Sequence, residues 1–171
     1  MGAARQGYRI KMRDTMPETD NLTDPGIWYR IRGAMLPVAR DGREFHEQLA
    51  EVTGLDPAAA RDLELEYRRF LYLAAVTDAP REPIGLLRAA WDHHAGFDGY
   101  LLDFCPWVLD RHMPARAAGK LTGPAYAAAW FDYATEFGTE PPAPYWPAPE
   151  SRMALTEVRA LAASGAPAMK V

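Results

Sequence analysis

Residues 57–77 read PAAARDLELEYRRFLYLAAVT, and this stretch decides the fold. Asp56 stands before a proline, an arrangement that starts helices. The carboxylate can accept from orphan backbone N–H groups, and Pro57 suits the first helical position. Leu63, Tyr67, Phe70, Leu71 and Ala74 recur along one helical face, while Leu65, Tyr72, Leu73 and Val76 cover much of another. A helix apolar on most of its circumference is buried on several sides. The spacing therefore predicts a central core helix over 57–77, wrapped by others. Glu64 and Arg68 stand at the i,i+4 spacing of a surface ion pair.

Upstream, Thr23-Asp24-Pro25 repeats the start signal and predicts a helix over about 25–39. Its apolar stripe would be Ile27, Ile31, Ala34, Met35 and Val38, and Pro37 should kink or end it. A short helix over 43–52 follows, with Phe45, Leu49 and Val52 inward, stopped by Gly54. His46 falls off that stripe and reads as a boundary side chain.

Downstream, 83–94 reads as a helix with Ile84, Leu87, Ala90 and Trp91 on one side and Gly96 as its stop. Asp98 can cap the next helix, over 99–111. There Tyr100, Leu101, Phe104, Cys105, Val108 and Leu109 keep a helical period, and Pro106 predicts a kink near Leu102 and Asp103. A loop over 113–123 carries Arg116 and Lys120. A last strong helix over 124–137, ended by Gly138, bears the stripe Tyr126, Trp130, Tyr133 and Phe137, which reads as core more readily than as a ligand cage. Five prolines within 140–149 predict an extended segment packed down by Tyr145 and Trp146. Residues 151–163 form at most a marginal helix.

No internal repeat and no strand pattern interrupts this series. The expected fold is all-α: a compact single-domain bundle of five to six helices with an extended Pro-rich C-terminal segment. Residues 1–22 are polar, show no period and read as a mobile or surface arm. Residues 23–163 form the helical domain, and 164–171 a flexible tail.

At 171 residues the chain is long enough to bury a real core. A net charge of −4 with scattered Arg and Lys gives no stripe for tracking phosphates, so nucleic acid is not an expected partner. The single cysteine excludes an internal disulfide and any multi-cysteine zinc site, and fits a reducing compartment. No apolar run reaches membrane-spanning length, and the first residues lack the apolar core of a signal peptide. Gly2 follows the initiator methionine, but the Ser/Thr of a myristoylation signal is missing. A soluble, cytoplasmic protein is expected. There is no Gly-rich phosphate loop and no Gly-x-Ser-x-Gly elbow, which argues against nucleotide hydrolysis and α/β-hydrolase chemistry.

Chemistry concentrates in residues 91–114, WDHHAGFDGYLLDFCPWVLDRHMP, which hold three of the four histidines, the cysteine and two of the five tryptophans. His and carboxylate ligands suit zinc, iron or manganese. Adjacent His93 and His94 diverge on a helix, so a divalent metal would need Asp92 or His94 together with His112, brought together by the helix–helix turn. Acid–base work is the other reading. Here His94 or His112 acts beside Asp92 and Tyr100, within aromatic walls from Trp91, Tyr100 and Trp107. Arg111 or Arg116 could hold an anionic group of a substrate, with Trp91 beside it. Cys105 lies on the apolar face of its helix and reads as an inert core residue.

Several phrases taken in order resemble the glycine-rich domain-containing-protein-like family. They are Glu66-Tyr67-Arg68-Arg69-Phe70-Leu71-Tyr72-Leu73, Trp91-Asp92-His93-His94, Tyr100 with Phe104-Cys105, and Arg111-His112-Met113-Pro114. The close is Tyr126, Tyr133, Glu136-Phe137-Gly138 and Pro141-Pro142-Ala143-Pro144-Tyr145-Trp146-Pro147. The likeness spans about 63–149. It departs at Asp92 and Arg111, where the family pattern has histidines, and the Trp-to-Tyr spacing is one residue shorter. The resemblance implies a helical fold and a polar site at His94 and His112, and it implies no reaction.

Two functions follow as expectations. One is a small helical enzyme or small-ligand-binding protein of specialised metabolism, with a His/Asp site at the turn. The other is a non-catalytic module that contacts a protein partner through its aromatic, Pro-rich surface. Catalysis itself is left open.

Overall fold

The computed structural model describes residues 21–110 and 123–149, whose regular elements are all helices, without a strand among the described residues. The elements are α1 (Pro25–Gly33), α2 (Phe45–Thr53), α3 (Pro57–Ala75), α4 (Gly85–Ala95), a π-helix (Tyr100–Leu109) and α5 (Pro124–Phe137). The N-terminal arm up to residue 20, the loop over 111–122, the marginal helix over 151–163 and the tail lie outside the described residues. Leu22, the last residue assigned to the arm, is buried against the core.

The central helix is α3. Asp56 Oδ1 accepts from the backbone N–H groups of Ala58 and Ala59, and Pro57 occupies the first turn. Its C-terminal half, from Phe70 to Ala75, is buried on every side. α1, α2, α4, α5 and the π-helix all pack against it. Each fully buried Leu or Phe in such a position contributes about 1.5–3 kcal/mol over its exposed state.

The rest of the core is aromatic. Trp28 from α1 sits edge-on to Tyr72 and to Phe137, with ring centroids 5.7 and 5.4 Å apart. Trp146 packs on Phe70, Tyr126 and Tyr133. The Pro-rich segment is thus held down by its tryptophan, and Tyr145 donates to the Ala59 carbonyl at 3.1 Å.

Two carboxylates are buried in this apolar frame. Glu66 accepts from Trp146 Nε1 at 2.9 Å and from Arg69 Nη1 at 2.6 Å. Burial raises its carboxyl above the ordinary range, and Arg69 opposes that. Glu136 accepts from the backbone N–H and hydroxyl of Thr23 and from the Tyr72 hydroxyl at 2.7 Å. These bonds tie the entrance of α1 to α3 and α5.

Three local departures from the sequence reading shape the site. First, α1 stops at Gly33, well short of residue 39, and Ala34 is already extended. Gly33 is a poor helix former, and Pro37 disfavours helical backbone at the residue before it. Met35 and Val38, expected on the inner stripe, are therefore exposed. Second, Val52 is exposed where it was expected inward, and Gln48 is buried instead. Its amide donates to the carbonyls of Pro37 and Arg43 at 2.8 and 3.0 Å.

Third, residues 100–109, where Pro106 predicted a kink near Leu102 and Asp103, do not form an α-helix. The whole element takes the wider π winding, and the Asp110 N–H reaches back five residues to the Cys105 carbonyl. The wider turn relieves the crowding that a proline ring imposes on the preceding turn of an α-helix. The burial pattern Tyr100, Phe104, Cys105, Leu109 repeats every four to five residues, as that winding requires. Leu101, one of the expected inward positions, is exposed.

Candidate functional site

Between the extended segment 34–38 and the π-helix lies a groove of about 550 Å³. That is within the usual size of small-molecule sites. Met35 and Val38 form one wall, Trp107 and Phe104 the other, and His94 lines the floor. Met35 is 87 % exposed and Trp107 78 %, large apolar surfaces left in water at the groove mouth.

The walls are braced by three polar side chains. Arg68 keeps its expected ion pair with Glu64, with Nη2 2.8 Å from Oε1, but that pair is not on the surface. Its guanidinium also donates to the carbonyls of Ile31 and Ala34 at 2.5 and 3.0 Å, closing the orphan C-terminal end of α1. Gln48 holds Pro37 as described above. Arg30 Nε donates to the Val108 carbonyl at 3.2 Å and ties α1 to the end of the π-helix. A segment without secondary structure is thereby fixed from α2 and α3.

His94 is 1 % exposed. Its Nδ1 lies 2.9 Å from the Tyr67 hydroxyl. Tyr67 is fully buried, with no other acceptor for its proton among the described residues, so the O–H donates to Nδ1 and the imidazole proton sits on Nε2. Among the described residues the buried side-chain atom left without a hydrogen-bond partner is Arg69 Nε, not a nitrogen of His94. The ring is clamped between Tyr100 and Phe104, at centroid distances of 4.8 and 4.5 Å. Burial, with the charge of Arg68 and the neighbouring His93, pushes the imidazole down to about 3. His94 is a neutral hydrogen-bond donor at physiological pH.

The other expected site residues are placed as follows. Asp92 is exposed on the far side of α4 and accepts from Arg88 Nε at 3.0 Å through both oxygens. Two positions apart on an α-helix, Asp92 and His94 diverge by about 200°. Asp92 and His94 therefore do not meet, and the residue either would join in a metal site, His112, lies outside the described residues. Among the described residues no group of three His, Cys, Asp or Glu side chains converges as metal ligands. His112, Arg111 and Arg116 lie outside the described residues.

Tyr100 is buried and does line the groove, and its hydroxyl accepts from Trp91 Nε1 at 2.6 Å. Burial and the Cys105 thiol raise its phenol above the ordinary range. Trp91 is a core residue that joins α4 to the π-helix and packs on Phe70. Cys105 is buried, as expected. His93 diverges from His94 and bonds Gln48 Oε1 at 2.9 Å.

Sequence reasoning named Trp107 as an aromatic wall, and it lines the groove, but it missed the rest of the outer half: Met35, Val38 and Phe97. The available signal was Pro37. It forbids the helix that would have buried Met35 and Val38, so both had to go elsewhere.

Among the described residues no helix is long and apolar enough to cross a membrane. Comparison with family models, with curated proteins and with solved structures finds no match to the chain.

Proposed function

We propose that the chain is a small-ligand-binding protein. Its ligand lies in the groove between 34–38 and the π-helix, with a hydrogen-bond acceptor at the inner end. The observation that carries this reading is the groove itself: about 550 Å³ between largely apolar walls, with Met35 and Trp107 left in water at its mouth and the neutral His94 imidazole among its lining residues. π-helical segments concentrate at functional sites, which adds support. General-base chemistry at His94 is less well supported, because burial and Arg68 oppose the protonated imidazole. Membership in the glycine-rich domain-containing-protein-like family belongs to the same proposal, and its motifs point to His94.

The contact-module reading keeps one favourable observation: Leu102, 73 % exposed on the outside of the π-helix. It no longer involves Trp146, which is buried.

The test is a titration with methyl naphthyl ketone against ethylnaphthalene, followed by protein fluorescence. The ketone should bind more tightly, and Trp107→Ala should weaken both. Absence of binding by either compound, or equal affinity for the two, contradicts the proposal.

A further inference from the structure

We propose a second ligand site, apart from the groove: an anion site between the last turn of α1 and one face of α3, which takes the dianionic phosphate of a small ester. A hollow of about 280 Å³ lies there, lined by Arg32, Arg61, Glu64, Leu65 and Arg68. Arg61, Glu64, Leu65 and Arg68 stand at i, i+3, i+4 and i+7 on α3, so a single face of that helix carries all four. Arg32 comes from the last turn of α1. Three guanidinium groups thus meet one carboxylate, in a chain whose net charge is −4.

That carboxylate is already engaged. Glu64 Oε1 accepts from Nε and Nη2 of Arg68 at 3.1 and 2.8 Å, and its Oε2 lies 3.7 Å from His46 Nδ1. Arg61 therefore loses the acid that helix spacing offers it three residues on. Asp62, next in the chain, acts instead on the Tyr145 phenol. Arg32 has no task at the helix end either. Arg68 takes the carbonyls of Ile31 and Ala34, and the Arg32 guanidinium lies over the Trp28 ring, 5.9 Å from its centre. Stacking uses the face of a guanidinium and leaves its N–H edge for an acceptor. Neither the Arg32 nor the Arg61 side chain has a hydrogen bond or ion pair among the described residues, whereas Arg43, Arg68, Arg69, Arg81 and Arg88 each have an acid.

The hollow supplies the second half of the argument. Like charges that converge on one space repel, and an anion seated between them reverses that cost. The fork of arginine donors matches phosphate oxygens, and two free guanidinium groups match the two charges of a phosphate monoester. Leu65, 38 % exposed in the same hollow, offers an apolar surface to the group the ester carries.

Calorimetry with the full chain at fixed ionic strength tests this with phenyl phosphate, inorganic phosphate and benzoate. Phenyl phosphate should bind most tightly and benzoate most weakly. Arg32→Gln and Arg61→Gln should each weaken phenyl phosphate roughly fivefold. Both residues are exposed, so the melting temperature should hold, and methyl naphthyl ketone should bind the groove as before. Arg40→Gln removes an exposed arginine that does not line the hollow, and should leave phenyl phosphate binding unchanged. Equal losses from all three variants would show attraction to net charge alone and overturn the site. Benzoate as tight as phenyl phosphate overturns the phosphate assignment, and inorganic phosphate as tight as phenyl phosphate overturns the ester. Absence of binding by phenyl phosphate overturns the site and leaves the groove reading standing.

Discussion

The Tyr67 hydroxyl stands 2.9 Å from His94 Nδ1 inside the core, with the two rings edge to face at 5.8 Å. Tyr67 comes from the middle of α3 and His94 from the end of α4. The contact therefore links the best-buried helix of the bundle to the floor of the groove. Removing the hydroxyl should be felt in both places. Tyr67→Phe leaves a buried acceptor unpaired and should cost about 1–3 kcal/mol in urea unfolding. It should also free the ring to adopt the other tautomer, which nitrogen NMR reads directly.

The buried imidazole makes stability depend on pH. The folded His94 is held at about 3, below the ordinary 6.5. Between those values the unfolded chain holds a proton that the folded chain does not, so stability falls as pH falls through that window. Glu66 acts in the opposite sense, since its raised carboxyl takes up a proton first in the folded state. His94→Gln removes only the first contribution. The stability difference between wild type and this variant should shrink by about 1.4 kcal/mol per pH unit below 6.5, read from urea melts at stepped pH. A constant difference would show that His94 does not titrate as described.

Arg68 positions the groove wall without lining the groove mouth. Arg68→Lys keeps the charge but cannot reach Glu64 and the carbonyls of Ile31 and Ala34 together, because an ammonium lacks the guanidinium fork. We expect a loss of about 1–2 kcal/mol and weaker binding of methyl naphthyl ketone. Hydrogen exchange should rise over residues 34–38 specifically. A variant with unchanged exchange there would contradict the bracing role.

Trp146 is a structural residue. Trp146→Phe keeps most of the packing but strips Glu66 of its indole donor, and should cost about 1–3 kcal/mol. Trp146→Ala should cost about 3–5 kcal/mol. Loss of a binding partner by Trp146→Ala would therefore report unfolding, which a melting curve distinguishes.

Most of the helical frame was legible in the chain. Asp56-Pro57 and Asp24-Pro25 carry their starts openly, and Gly54 and Gly138 their ends, because caps and left-handed glycines are local chemistry. The apolar circumference of α3 announced its central place. Residues 34–38 were misread because the helical spacing of Met35 and Val38 is genuine, but Gly33 and Pro37 outweigh it. The π winding was hidden because its burial period is close to that of an α-helix over only ten residues. At the site, His94 and Tyr100 were singled out by residue type and do lie together. Asp92 was grouped with them by proximity along the chain, and two steps around a helix carry it to the opposite face. That segment 34–38 crosses to face the π-helix was not legible, since nothing local shows it.

The most direct test of the groove account is the long-range proton–nitrogen NMR spectrum of the His94 imidazole, recorded before and after addition of methyl naphthyl ketone. The account predicts an Nε2–H tautomer with Nδ1 accepting from Tyr67, and an Nε2 resonance that moves on titration while Nδ1 holds. An Nδ1–H tautomer, or a titration that leaves both ring nitrogens unmoved, would contradict it.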